Sequence, residues 1–383
     1  MASETGSQQP AANYTVGDLL ERIQANIDTL HYDVAYQFCQ KAQSLEPDNV
    51  AVLEVTATVA LELGLFEEAL TMLQRCVQLS PEDGYSKYMY LGQMFTGMDA
   101  VRYFEKGVTL MSRELEESGH NQHNGVSEER PDPAALKSQL ATALCSMAEI
   151  YLTDCCFEPQ AEANCEQYLT QATGMAPENP EVYQLLASVR LSQQRTSEAK
   201  DALLKSLALW QNKGVTDPDY PSYDVRIGTT KLLLELGLFD EALRILGELQ
   251  KEDDQTVDLW YLYGWTYYCM AEDQAEVEGS QLNSVSTDAQ PDGDRYRQTL
   301  ADSVECLQTA VNLYRQLDYD DEGILSHAQE LLQTIDQRIP LQTLLQDAKN
   351  DDLTEDFTMD PTQADTDDWE DIVNSDDNDM AMG

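Results

Sequence analysis

Cys155, Cys156 and Cys165 are the residues closest to a metal or redox constellation. Two adjacent cysteines lack the C-x₂-C geometry that wraps a zinc ion or a redox turn, and the chain has only four histidines to complete a set. His120 and His123 fall in a polar stretch with no cysteine beside them and read as solvated side chains. "DAQPDGDRYRQT" resembles a calcium loop around Gly293, but Gln290 stands where a carboxylate is needed and Thr299 where a bidentate Glu belongs. Loop acidity is the simpler reading. Phosphate-binding glycine loops, nucleophile elbows and HExxH pairs are absent. The expectation is a non-enzyme with no catalytic residues, no metal and no cofactor.

What remains is chemistry by charge. The 383 residues carry 70 Asp and Glu against 23 Lys and Arg, a formal net charge of −47. Phosphates would be repelled, which argues against direct nucleic-acid binding and against docking on an anionic membrane. A basic protein is the partner such a surface suits. The start, "MASETGSQQPAANYT", lacks the basic and apolar regions of a signal peptide, and no run of eighteen apolar residues is present. Cys39, Cys76, Cys165 and Cys306 lie in amphipathic patterns as small hydrophobes, so a reducing compartment is expected.

The elements that must position these charges are written as a repeat. "LELGLFEEAL" (Leu61 to Leu70) returns as "LELGLFDEAL" (Leu234 to Leu243) with one change, Glu67 against Asp240. Each copy has a turn glycine (Gly64, Gly237), an aromatic (Phe66, Phe239), an acidic helix start and an alanine (Ala69, Ala242). Leu73 and Cys76 follow Ala69 on one helical face, and Pro81 ends that helix. Trp260-x₂-Tyr263-Gly264-x₂-Tyr267, Tyr88-x₂-Leu91-Gly92-x₂-Phe95 with Ala100-x₃-Phe104, and Leu144-x₂-Met147-Ala148-x₂-Tyr151 are first helices of similar units. The pattern resembles the tetratricopeptide repeat (TPR), in which small residues let two antiparallel helices approach and neighbouring units bury each other's apolar stripes. Phe66 and Phe239 are read as part of that packing grammar.

The expected class is therefore all-α: a right-handed α-solenoid of about seven TPR-like helix pairs plus a C-terminal capping helix, with disordered termini. Units are expected to begin near Val16, Val50, Tyr85, Ala141, Pro180, Tyr223 and Val257, and Pro47, Pro81 and Pro177 to follow second helices. The boundaries are a disordered N-terminus over 1–14, a solenoid over 15–339, and an acidic disordered tail over 340–383. A polar insert is expected near 112–133 and an acidic loop near 271–294, with a capping helix near 320–339. Residues 350–383 hold thirteen acids and no base, too little apolar area to offset chain entropy.

In such a stack the concave surface is lined by the face of each first helix not used in packing. The register places Glu54, Thr58, Glu62, Gln93, Glu149, Glu181, Gln184, Ser188, Asp224, Glu235, Asp258, Tyr261, Trp265 and Tyr268 there. Carboxylates suit Arg and Lys, and aromatics suit their stems and guanidinium planes. Secondary acidic candidates are Glu252, Asp253 and Asp254, and the tail group Asp367, Asp368, Trp369, Glu370 and Asp371. TPR clamps for chaperone C-termini use Lys and Arg, in which these positions are poor.

Some stretches go beyond the general repeat: "KYMYLGQMFTGMDAVRYFEKG", "AEIYLTDCCFEPQAEANCE", "LLASVRLSQQRTSEAKDALLKSLALW", "EDDQTVDLWYLYGW" and the tail's "DDWED". Together they resemble the assembly chaperones of large-subunit ribosomal protein four, over most of residues 30–315. The resemblance implies a dedicated chaperone that binds the basic internal extension of that newly made ribosomal protein. It implies that the cargo is kept soluble and escorted to the nucleus for assembly of the large subunit. The protein would then occupy cytoplasm and nucleus, meeting import receptors through its cargo. The alternative is a general TPR scaffold or adaptor in another multiprotein complex.

Overall fold

The structure, a computed structural model, describes residues 14–120, 132–217, 220–282 and 293–346. Among the described residues every regular element is a helix. The chain divides into two compact units, Met1–Ser222 and Tyr223–Gly383. The first holds α1 (Val16–Asp28), α2 (Tyr32–Leu45), α3 (Val50–Glu62), α4 (Phe66–Leu79), α5 (Ser86–Met94), α6 (Gly97–His120), α7 (Pro133–Leu152), α8 (Ala161–Met175), α9 (Pro180–Ser192) and α10 (Thr196–Trp210). The second holds α11 (Tyr223–Glu235), α12 (Phe239–Glu252), α13 (Val257–Leu282), α14 (Gly293–Leu317) and α15 (Glu322–Arg338). Within each unit, consecutive helices pack as pairs and each pair packs on the next, so the class is all-α with TPR-like pairs.

The same local chemistry recurs in several pairs. First helices begin on a side-chain cap: Thr15 for α1, Asn49 for α3, Asp132 for α7 and Asn179 for α9 each accept from a free backbone N–H of the first turn. Four first helices, α1, α3, α9 and α11, end on a left-handed residue fourteen positions after the first residue of the helix: Leu30, Gly64, Gln194 and Gly237. In each case the next residue's N–H reaches back five positions, as Leu65 N does to Ala60 O at 2.8 Å and Leu238 N to Leu233 O at 2.9 Å. The second helix then starts at once, without a side-chain cap. It stops where a proline follows, because the residue before proline is driven out of the helical region. Glu46, Ser80 and Ala176 have ψ of 81°, 72° and 72° ahead of Pro47, Pro81 and Pro177.

Inside a pair the backbones approach over small residues. Ala69, Ala148 and Ala242 are fully buried. At Gly264 on α13, an added Cβ would lie 2.5 Å from Leu307 Cγ and 3.0 Å from Leu307 N on α14. Ser303 Oγ on α14 donates to the Gly264 carbonyl at 2.7 Å. Between pairs the apolar clusters are shared. One joins α1 and α2 to α3, another joins α3 and α4 to α5, and a third runs from α5 through α9. This is the physical content of a repeat stack: no pair closes its own core.

Several sequence expectations shift. The fourth pair begins at Pro133, not near Ala141, because Leu136 and Leu140 are already buried in its core. The polar insert near 112–133 is helical through His120. Its first half, "SRELEES", consists of good helix formers with Arg113 and Glu117 paired one turn apart at 3.9 Å. The acidic segment expected as a loop over 271–294 continues α13 as far as Leu282, anchored by buried Ala271. The tail expected as disordered from 340 is helical over 341–346, where Leu344 is buried. Phe66 is 62% exposed and so is not packing grammar, although Ala69 is. The expectations for residues 1–13 and 347–383 lie outside the described residues.

Candidate functional site

In the first unit, Glu62, Gln93, Glu149 and Glu181 are exposed on α3, α5, α7 and α9. Glu149 and Glu181 share one surface. Burial pushes the Cys145 thiol up to about 12, and the two carboxylates beside it, Glu181 and Glu149, push it in the same direction. Thr58 and Ser188 are half-buried and turn their hydroxyls to backbone carbonyls one turn back, those of Glu54 (3.2 Å) and Gln184 (3.3 Å). Gln184 is half-buried too.

Glu54 has a second occupation. It lies 3.6 Å from Nζ of Lys87, a lysine with no exposed surface. That ammonium also donates to the carbonyls of Asp83 and of Gly84, the latter at 2.9 Å. Glu54 therefore balances a buried charge that pins the connection between α4 and α5, which limits what it can offer a partner.

Gln93 also borders an open groove of about 310 Å³ between α5 and α7, lined by Tyr85, Met89, Ser138, Thr142 and Ser146. Tyr85 donates to Gln139 Oε1 at 2.9 Å across it. The groove carries no charged side chain in its lining. It was missed because α5 is only nine residues long, a length the register does not display. The signal available was Ser138, Thr142 and Ser146 at intervals of four, a small polar stripe along one face of a helix.

In the second unit, Asp224 and Glu235 are exposed on α11. The other expected positions turn inward. Asp258 accepts from the Tyr319 hydroxyl at 2.6 Å and lies 3.4 Å from Lys231 Nζ. Tyr261 is buried, its hydroxyl 2.8 Å from His327 Nδ1. Trp265 meets the same imidazole edge-on at 5.2 Å between ring centres. Tyr268 is half-buried, beside Arg338 and Glu272, which form an ion pair. Thus α15 and the turn before it lie along the face of α13 that the register leaves open. Burial, with Asp321 and Asp258 nearby, pushes Tyr261 up to about 12. The bond to Asp258 is the leading reason that Tyr319 also rises to about 12.

The secondary acidic group at the end of α12 is a corner. Glu252 pairs at 2.5 Å with Arg226, whose side chain is 1% exposed. The Asp253 carboxylate accepts from Gln255 N at 2.8 Å, and the Asp254 carbonyl accepts from the Trp260 indole at 2.7 Å. Asp367, Asp368, Trp369, Glu370 and Asp371 lie outside the described residues.

Among the described residues no three His, Cys, Asp or Glu side chains converge as a metal site, and no helix is long and apolar enough to cross a membrane. What is presented is a set of exposed carboxylates on first helices beside an uncharged groove. Carboxylates in such a setting are chemically suited to Lys and Arg side chains.

No protein-family model matches the chain. It is 37% identical over 273 residues to a Schizosaccharomyces pombe protein named "Probable assembly chaperone of rpl4", covering 70% of this chain and 73% of the relative. An Emericella nidulans protein of the same name is 29% identical over 378 residues, covering 95% and 90%. Among solved structures, the assembly chaperone of RpL4 (Acl4) superposes with a TM-score of 0.66 at 30% identity, covering 69% of this chain and all of the other.

Proposed function

The chain belongs to the family of rpl4 assembly chaperones, and from that premise we propose that it captures newly made ribosomal protein four of the large subunit by its basic internal extension. Held there, the cargo stays soluble until it is delivered to the assembling subunit. A Lys- and Arg-rich extension free in the cell would seize RNA or aggregate. A surface of exposed carboxylates satisfies the same cations without being RNA. The protein works in cytoplasm and nucleus, and import receptors act on the complex through the cargo's own basic segments.

The observation that carries this reading is the exposed set Glu62, Glu149 and Glu181 on the first helices of a chain with net charge −47. None of the three forms an ion pair among the described residues. The Gln93 side-chain amide and the hydroxyls along the α5–α7 groove can take the uncharged part of the peptide. Glu54, Asp258 and Glu252 are unsuitable for testing this, because each also balances or caps an internal group.

The test is binding of purified rpl4 to the full chain and to the Glu62→Lys/Glu149→Lys/Glu181→Lys variant. Reversing each exposed charge is expected to cost on the order of 0.5–1 kcal/mol, so affinity falls about tenfold or more, with helical content unchanged. Affinity of the unaltered chain also falls steeply between low and physiological salt. Undiminished binding by the variant would place the cargo elsewhere. No binding of rpl4 at low salt would sink the cargo assignment, and the chain would then be a scaffold for another partner.

A further inference from the structure

Five of the ten large hydrophobic side chains that stand exposed among the described residues share one place in the fold. Leu30 and Val34, Phe66, Met98 and Phe157 all sit at the turn from first to second helix, in pairs one to four of the first unit. The exposures of Leu30, Phe66 and Phe157 are 72%, 62% and 97%. The remaining five are spread over both units. In the fifth pair the same turn is polar, Gln193 to Thr196.

Because helices alternate in direction and each pair packs on the next, these turns line up along one edge of the unit. Three contacts tie them together. The Tyr36 hydroxyl, one turn into α2, donates to Glu68 at the start of α4. Leu65 in the second turn and Phe95 in the third pack on one apolar cluster. Gly97 N donates to Asp154 Oδ2 at 3.2 Å, joining the third turn to the fourth.

Packing does not account for this row. Leu30 holds a left-handed backbone, φ 59°, a conformation that favours glycine, and its side chain touches little of the core. Single exposed hydrophobics need no explanation, but a row on one edge marks a surface that is covered in use. The rim identifies what covers it. Asp33, Glu67, Asp154 and Glu158 flank the apolar side chains, with Asp99 paired to Arg102 at 2.7 Å, and the four turn segments 28–34, 63–68, 95–99 and 153–160 contain no Lys or Arg. Nucleic acid and an anionic lipid surface are repelled by such a rim. A second copy would set two acidic rims face to face, and the chain's own tail, with thirteen acids and no base over 350–383, is repelled likewise.

We propose that this edge is a second docking surface, distinct from the carboxylate face of the first helices, for a basic protein segment that carries apolar anchors among its Lys and Arg residues. The anchors cover Phe66, Met98 and Phe157, and the cations meet the rim.

The test uses the full chain and two synthetic probes: an amphipathic helical peptide of Leu and Lys, and a peptide of equal charge with Lys but no Leu. The Phe66→Ser/Met98→Ser/Phe157→Ser variant alters only exposed side chains, and an unchanged melting temperature establishes that it folds. The Leu/Lys peptide is expected to bind the variant at least about tenfold more weakly, a difference of about 1.4 kcal/mol. The Lys-only peptide is expected to bind both proteins equally. Equal binding of the Leu/Lys peptide to both proteins overturns the proposal. So does a dimer of the unaltered chain in sedimentation that the variant dissolves, which would make the occupant a second copy. Neither measurement involves rpl4, so failure here leaves the cargo reading untouched, and the reverse holds too.

Discussion

At the scale of the residue, one backbone position recurs with different side chains. Gly64 and Gly237 close their turns at φ 73° and 68°, while Leu30 and Gln194 close equivalent turns at 59° and 61°. A side chain in this region costs roughly 1–2 kcal/mol, partly recovered because glycine loses more freedom on folding. Leu30→Gly is therefore expected to raise stability by about 0.5–1 kcal/mol, and Gly64→Ala to lower it by about 1 kcal/mol, both read by urea denaturation. If Leu30→Gly is instead destabilising, the exposed leucine has a packing role that its surface does not reveal. The repeated phrase is thus mixed at this scale. Gly64 and Ala69 obey the turn and the close approach, whereas Phe66 obeys neither and stands in solvent.

Between elements, the spacing of paired helices is the sensitive quantity. Gly264 and Gly174 both lie within helices, α13 and α8, but their surroundings are opposite. An added methyl at Gly264 meets the backbone of Leu307 on α14, and no rotamer change can move that atom. At Gly174 nothing lies within 4 Å. Gly264→Ala is expected to cost about 1–3 kcal/mol by forcing α13 and α14 apart. Gly174→Ala is expected to gain about 0.5–1 kcal/mol from helix propensity alone. Thermal unfolding of the two variants should move in opposite directions; a gain at both would mean that propensity and not spacing governs. The placement of α15 belongs to this scale as well. His327 and Tyr319 engage Tyr261, Trp265 and Asp258, so the last helix closes the face of α13 that would otherwise stay open to a partner.

Over the whole molecule the governing quantity is the net charge of −47. Like charges of this number destabilise the folded state by mutual repulsion, and salt screens it with a reach of about 10 Å at 0.1 M. Added salt is expected to raise the melting temperature of the free chain while weakening its hold on a basic cargo. The two slopes, from calorimetry and from binding titration across the same salt series, should have opposite signs. A melting temperature that falls with salt would mean that the ion pairs, such as Arg190 and Arg195 around Glu166, outweigh the repulsion. The acidic surface is a cost to the fold, which the cations of the proposed cargo would offset.

The sequence by itself determined the helix pairs, their turns and most of their boundaries. Those depend on neighbours in the chain: a cap at Asn49, a left-handed turn at Gly64, a proline at 81, small residues at Ala69 and Gly264. It also determined the sign of the chain's own charge, since charge is additive. Which carboxylates remain free was decided only by tertiary structure. Glu62 and Asp258 read alike in the register, but the turn before α15 reaches Asp258, while Glu62 is exposed among the described residues. Glu252 reads as one more surface acid until Arg226 is found buried against it. The apolar edge was hidden for the same reason: its residues lie in four turns far apart in sequence, and only stacking sets them side by side.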